Sequence, residues 1–287
     1  MQIGIVSPVV TRVPGAHGAW EVDAGVDELA QVAECADRLG FHHLTCSEHV
    51  AVPTDVAAQR GATYWDPLAT LGYLAARTTH IRLATQVLVL GYHHPLEIAK
   101  RYGTLDLVSG GRLVLGVGVG SLQDEFELLG AAFDGRGAIA DDALAALRAS
   151  LSVPTPGYSG PHFSYRDVVV EPHAVQPRVP LWVGGRTRRS LRRAVELGDG
   201  WVPFGLPLEE LRAMVDGTTL PAGFDVVLPA GRPLDPLGDA AAVRERLERV
   251  TDAGATIVSA GIRAASVSEY CEQLAALAEV AELEGGR

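Results

Sequence analysis

Two textures of apolar residues alternate along this chain. Short runs that are apolar at nearly every position, such as residues 113–117, are separated by stretches whose apolar residues recur at three- and four-residue spacing. The first texture suits strands buried on both faces of a parallel sheet, and the second suits the amphipathic helices that cover such a sheet. Taken in order, strands are expected at residues 2–7, 41–46, 81–90, from 113, 180–184, 200–203, 224–228 and 255–260. Helical spacing falls at residues 23–39, 66–79, 95–108, from about 121, 141–151, 187–197, 208–215, 239–252 and 267–283. Local chemistry supports several boundaries. Asp66 before Pro67 reads as an N-cap followed by proline at the first helical position. Gly40 is a helix stop. His94 before Pro95 is placed to cap, and Ser121 with Asp124 three residues on resembles a capping box.

Eight strands, each followed by helix, read as a (β/α)8 TIM barrel, taken as a single domain over residues 1–287. An open doubly wound sheet is the alternative, but it usually carries a glycine-rich loop after its first strand, and none is present. Residues 152–178 have a different texture, with Pro and Gly and a short alternation at 163–170, and are read as an insertion containing a small hairpin.

Barrel sites form at the carboxyl ends of the strands. Those ends hold Ser7-Pro8, Ser47-Glu48-His49, Thr85-Gln86-Val87, Gly116 to Ser121, Gly184-Gly185-Arg186 and Trp201 to Phe204. Histidine is the side chain best suited to proton transfer near neutral pH, and the adjacent Glu48 makes His49 the leading catalytic candidate. His42, His43, His93 and His94 are read as structural. Tyr64, Trp65, Tyr92, Trp201 and Phe204 offer an aromatic rim, and the two glycine-rich ends offer backbone N–H groups to an anion. The combination suits a planar cofactor with an anionic tail.

Composition narrows the classes. With 24 basic against 35 acidic residues, the net charge of −11 leaves no electrostatic footprint for nucleic acid. No apolar run of membrane-spanning length and no signal peptide are read. Cys35, Cys46 and Cys271 are odd in number and unpatterned, which fits a reducing cytoplasm and no structural metal site. Zinc-protease, P-loop and nucleophile-elbow motifs are absent. A ligand-binding barrel without turnover, a barrel hydrolase and an interaction protein built on the insertion stay open on these grounds. Only Glu48 is a secure strand-end carboxylate, which counts against the hydrolase.

Four segments together, residues 40–49 (GFHHLTCSEH), 64–95 (YWDPLATLGYLAARTTHIRLATQVLVLGYHHP), 105–120 (LDLVSGGRLVLGVGVG) and 180–205 (PLWVGGRTRRSLRRAVELGDGWVPFG), resemble the luciferase-like monooxygenase superfamily, and within it the branch of oxidoreductases that use the deazaflavin coenzyme F420. The resemblance implies a (β/α)8 barrel with an insertion near the carboxyl ends of its strands. It implies that Glu48 and His49 border the deazaflavin ring, with His49 handling the substrate proton and Ser47 beside them. It places a non-prolyl cis peptide at Gln86-Val87, behind the ring. Tail-phosphate contacts fall on Gly118, Val119, Gly120, Ser121 and Asp124, and on Gly184, Gly185 and Arg186. The implied reaction is hydride transfer between F420 and a small organic substrate, in a homodimer. A flavin mononucleotide enzyme that activates oxygen is the main alternative. Lys100 is the only lysine, so the phosphate-binding lysines of a sugar-phosphate branch have no counterpart.

Overall fold

The computed structural model describes residues 1–283 and 285. Strand β1 is Gln2–Ile5, β2 His43–Cys46, β3 Arg82–Thr85 and β4 Leu113–Gly118. Strand β5 is Leu181–Gly184, β6 Gly200–Val202, β7 Asp225–Pro229 and β8 Ile257–Ala260. Each pairs in parallel with the next, and β8 returns to β1 in the register Gln2↔Ile257, so the sheet closes. Helices between the strands cover the outside in the TIM-barrel arrangement. An extra two-residue strand, Leu88–Val89, pairs with Val117 and Gly118 at the carboxyl end of β4.

Alternation along the strands explains why they are largely apolar on both faces. Ala84, Val114, Trp182, Val202, Val227 and Ile257 pack together inside the barrel, while Leu83, Leu113, Leu181 and Val258 join the larger layer beneath the helices. The amino end of the interior is filled by His43, which is fully buried. Its ring lies where Gly4 leaves space, for a Cβ at Gly4 would fall 1.9 Å from His43 Cε1. The His42 and His43 rings pack on Trp182 at centroid distances of 6.1 and 5.0 Å, and Trp182 Nε1 donates to Asp225 Oδ2 at 2.9 Å.

Several helix starts follow from one side chain each. Asp66 Oδ1 accepts from Ala69 N at 2.8 Å, His94 Nδ1 from Leu96 N at 3.1 Å and Asp239 Oδ1 from Ala242 N at 2.9 Å. The expected cap at Ser121 is not made. The helix there is Gln123–Leu128, its N-cap position is Leu122, and no side chain caps it. The strand expected at 81–90 divides into β3 and Leu88–Val89 around Gln86-Val87, whose peptide bond is cis. The helix expected at 141–151 starts earlier, as Arg136–Ser150. Helix Thr54–Arg60 falls where the sequence shows no helical spacing. It buries none of its residues and so carries no apolar stripe to reveal it.

The insertion forms a hairpin of Tyr158–Ser159 with Ser164–Tyr165. Asp142, on helix Arg136–Ser150, holds it by accepting from the backbone of His162 at 2.8 Å and Phe163 at 2.9 Å. Phe163 reaches His94 at 5.4 Å between ring centroids, on the carboxyl side of β3. Among the described residues no helix is long and apolar enough to cross a membrane.

Burial, with the Arg82 charge nearby, pushes His42 down to about 4, and burial holds His43 well below the ordinary histidine range. The unfolded chain takes up protons below its ordinary value while the folded chain does not. Stability tied to His42 is therefore present above about pH 6.5 and lost as pH falls from there to about 4, by about 3 kcal/mol for such a shift. His42→Gln is expected to shallow the drop in Tm between pH 7 and pH 5 relative to the parent protein. Scanning calorimetry that returns the same pH slope for both would remove His42 as its source.

Candidate active site

At the carboxyl ends of the strands lies a cavity of about 440 Å³. Ser47, Glu48 and His49 enter it from the end of β2, Gln86 and Val87 from β3, Gly118 to Ser121 from β4, and Gly184 and Gly185 from β5. Of the residues expected at the site, Asp124 and Arg186 do not line it, and both side chains are exposed. Of the expected aromatic rim, Tyr64, Tyr92 and Phe204 line the cavity. Trp201 does not: it is fully buried, and its Nε1 donates to Ser190 Oγ at 3.4 Å beneath the helices. Trp65 packs against the same core layer.

Glycine is required where strands β4 and β5 open into the cavity. A Cβ on Gly118 would stand 2.7 Å from Val87 Cγ2, and one on Gly184 2.8 Å from Val87 Cγ1. Val87 therefore occupies space that any other residue at 118 or 184 would fill, and the backbone there stays bare toward the cavity. Gln86 Oε1 is buried without a hydrogen-bond partner in this wall. Ser47 Oγ donates to the Gln86 carbonyl at 2.8 Å, which ties the end of β2 to the cis peptide.

Glu48 and His49 are neighbours in sequence but partners of neither other. Glu48 Oε2 accepts from Val89 N at 2.6 Å, and its Oε1 lies 2.7 Å from His93 Nε2. His49 Nδ1 lies 2.6 Å from Oε2 of Glu125, a residue with no exposed surface. Glu125 Oε1 accepts from Val50 N at 2.6 Å and Ala51 N at 3.2 Å, and Tyr92 OH donates to its Oε2 at 2.9 Å. Burial alone would raise the Glu125 carboxyl, but the hydrogen bond from His49, those from Ala51 and Tyr92, and the His49 charge outweigh it and hold the carboxyl below its ordinary range. An ionised Glu125 accepts a hydrogen bond from Nδ1–H of His49 and leaves Nε2 for the cavity. The Tyr64 ring meets the His49 ring edge-on at 4.5 Å.

His93 was read as structural, yet it completes the Glu48 pair. Burial lowers its affinity for a proton, but the Glu48 hydrogen bond and the charges of Glu48 and Glu97 prevail and raise it above the ordinary value. No motif in the sequence marks Glu125. It sits one residue after Asp124 on helix Gln123–Leu128, and the sign available in the sequence was an acid beside Phe126 on the buried side of that short helix. Arg60, on the unforeseen helix Thr54–Arg60, brings its Nη1 within 3.5 Å of Ser121 Oγ at the cavity rim.

Glutamine at position 125 keeps the shape but turns an amide NH2 toward groups that are all donors. Glu125→Gln is expected to lower stability by about 1–3 kcal/mol, read as the shift in the urea midpoint. An unchanged midpoint would show that the four donors find other acceptors.

Residues 1–220 match the model of the luciferase-like monooxygenase family. An uncharacterized protein of Mycobacterium tuberculosis is 29% identical over 272 residues, which cover 88% of this chain and 94% of that one. The oxygenase component of a flavin-dependent trigonelline monooxygenase from Acinetobacter baylyi is 27% identical over 175 residues, covering 60% of this chain and 46% of that protein. The solved structure of a coenzyme F420-dependent tetrahydromethanopterin reductase from Methanopyrus kandleri superposes with a TM-score of 0.72 at 15% identity, covering 99% of both chains. With three quarters of its length under the family model and its strands closed into the barrel just described, the chain belongs to the luciferase-like monooxygenase family.

Proposed function

We propose that this enzyme is an oxidoreductase that moves a hydride between coenzyme F420 and a small organic substrate in the 440 Å³ cavity. The observation that carries the reading is the pairing of His49 with Glu125 beside a wall whose glycines leave bare backbone around Val87. The wall fits a flat ring, because Val87 presents a branched apolar surface with no side chain at 118 or 184 to stand over it. The unpartnered Gln86 Oε1 fits a ring that carries N–H groups. Ser121, the backbone of Gly118 to Gly120 and of Gly184 and Gly185, and the guanidinium of Arg60 would hold the phosphate end.

When bound, F420 would supply or accept the hydride at C5 of its deazaflavin ring. The chain supplies position and proton. His49 Nε2 takes the proton of a substrate hydroxyl as it is oxidised, or returns one to a carbonyl oxygen in the reverse direction, and the ionised Glu125 stabilises the ring while it is charged. Glu48 acts at one remove, holding His93 and the Val89 N–H so that the end of β2 keeps its place against Leu88–Val89. A flavin mononucleotide reading is favoured by the flavin-dependent relative from Acinetobacter baylyi and uses the same bare wall.

A fluorescence titration with oxidised F420 and, separately, with flavin mononucleotide separates the two. Micromolar or tighter binding of F420, about −8 kcal/mol, with flavin at least tenfold weaker is the expected outcome. Binding of flavin alone would move the enzyme to oxygen chemistry. His49→Ala is expected to lower turnover by about 10²–10⁴-fold while F420 affinity stays within tenfold. An alanine variant of full activity would take His49 out of the reaction.

A further inference from the structure

Outside the cavity, two of the three cysteines meet. Helix Val26–Arg38, which follows β1, packs beside helix Val267–Val280, which follows β8. Cys35 on the first is buried, and Cys271 on the second is half-buried. Cys35 Sγ donates to the Cys271 carbonyl at 3.8 Å, and Cys271 Sγ donates to the Gln31 carbonyl at 3.9 Å. Each thiol therefore reaches across to the backbone of the other's helix. Both side chains pack into the apolar layer beneath the helices, and the proposed chemistry uses neither thiol.

We propose that Cys35 and Cys271 form an oxidation site, converted by a peroxide to a disulfide that fastens the first helix of the barrel to the last. The contact with Cys271 lowers the Cys35 thiol, desolvation opposes it, and the Arg38 guanidinium helps to keep it down, which favours the thiolate that such chemistry needs. Cys46 lies apart from the pair. It is buried, its Sγ donates to the Trp65 carbonyl at 3.5 Å, and desolvation pushes it up to about 12, so it stays an inert thiol.

The atoms balance with hydrogen peroxide as the two-electron oxidant. One sulfur of the pair attacks a peroxide oxygen, the O–O bond breaks, and a sulfenic acid and one water result. The other sulfur then attacks the sulfenic sulfur, the S–O bond breaks, and the departing hydroxide takes the thiol proton as a second water. Two thiols are oxidised to one disulfide and one peroxide is reduced to two waters. Access through the half-exposed Cys271 is sufficient for a molecule of this size.

The test treats the purified protein with graded hydrogen peroxide, blocks remaining thiols with iodoacetamide, and maps peptides without reduction by mass spectrometry. The expected result is a linked pair of peptides containing Cys35 and Cys271, with Cys46 alkylated as before. Tm is expected to rise by about 5–10 °C, because the link closes a loop of more than two hundred residues, and to fall back on reduction with dithiothreitol. Cys35→Ala and Cys271→Ala, checked for native circular dichroism, are each expected to abolish the rise. Alkylation of both thiols after oxidation, a sulfinic acid at Cys271 with no linked peptide, or a link that involves Cys46 would overturn the proposal.

Discussion

A carboxyl group buried in a protein wall needs hydrogen-bond partners for both its oxygens, and the mouth of this barrel is arranged around two such groups. Glu125 collects a histidine, a tyrosine and two backbone N–H groups from the end of β2 and the turn beyond it. Glu48 collects a histidine and the N–H of Val89. Each acid comes from one strand end and its donors from another, so β2, Leu88–Val89 and the helix after β4 are fastened together by charge-assisted hydrogen bonds. Ser47, Gln86 and Val87, on the strand ends so fastened, line the cavity beside Glu48.

The glycines complete the same wall by subtraction. Val87 fits only because positions 118 and 184 carry no Cβ, and Gly116 likewise makes room for the Thr85 carbonyl, to which its Cβ would come within 2.0 Å. Strand ends that look featureless in sequence thereby give the cavity one flat apolar side and leave backbone donors at its edge. Such a surface suits any tricyclic ring with a phosphate tail, which is why the fold by itself is neutral between deazaflavin and flavin.

How much of this is legible in the sequence depends on whether the signal is local. Strand–helix alternation, the caps at Asp66 and His94 and the helix over 95–108 rest on short-range pattern, and the structure reproduces them. The barrel end that holds Ser47, Glu48, His49 and the two glycine pairs followed from the rule that strand termini share a face. The pairing of the acids did not. Proximity in sequence suggested Glu48 with His49, but consecutive residues at a strand end point apart, and each found its partner forty or more residues away. Glu125 was hidden by the false capping box at Ser121 and Asp124, which placed the helix start two residues too early. Thr54–Arg60 was hidden because a helix that buries nothing shows no periodicity.

The register Gln2↔Ile257 joins the first strand to the last across most of the chain. A ribosome adding about 5–20 residues per second therefore finishes β8 roughly 13–50 s after β1 has been made. During that interval β1 has β2 as its only available sheet neighbour, and its other edge offers unpaired N–H and C=O groups to any passing strand. The edge is only four residues long, Gln2–Ile5, with Gly4 in it. A short strand interrupted by glycine is a poor template for another chain, so the space that Gly4 leaves for His43 in the finished barrel also guards the nascent one against mispairing.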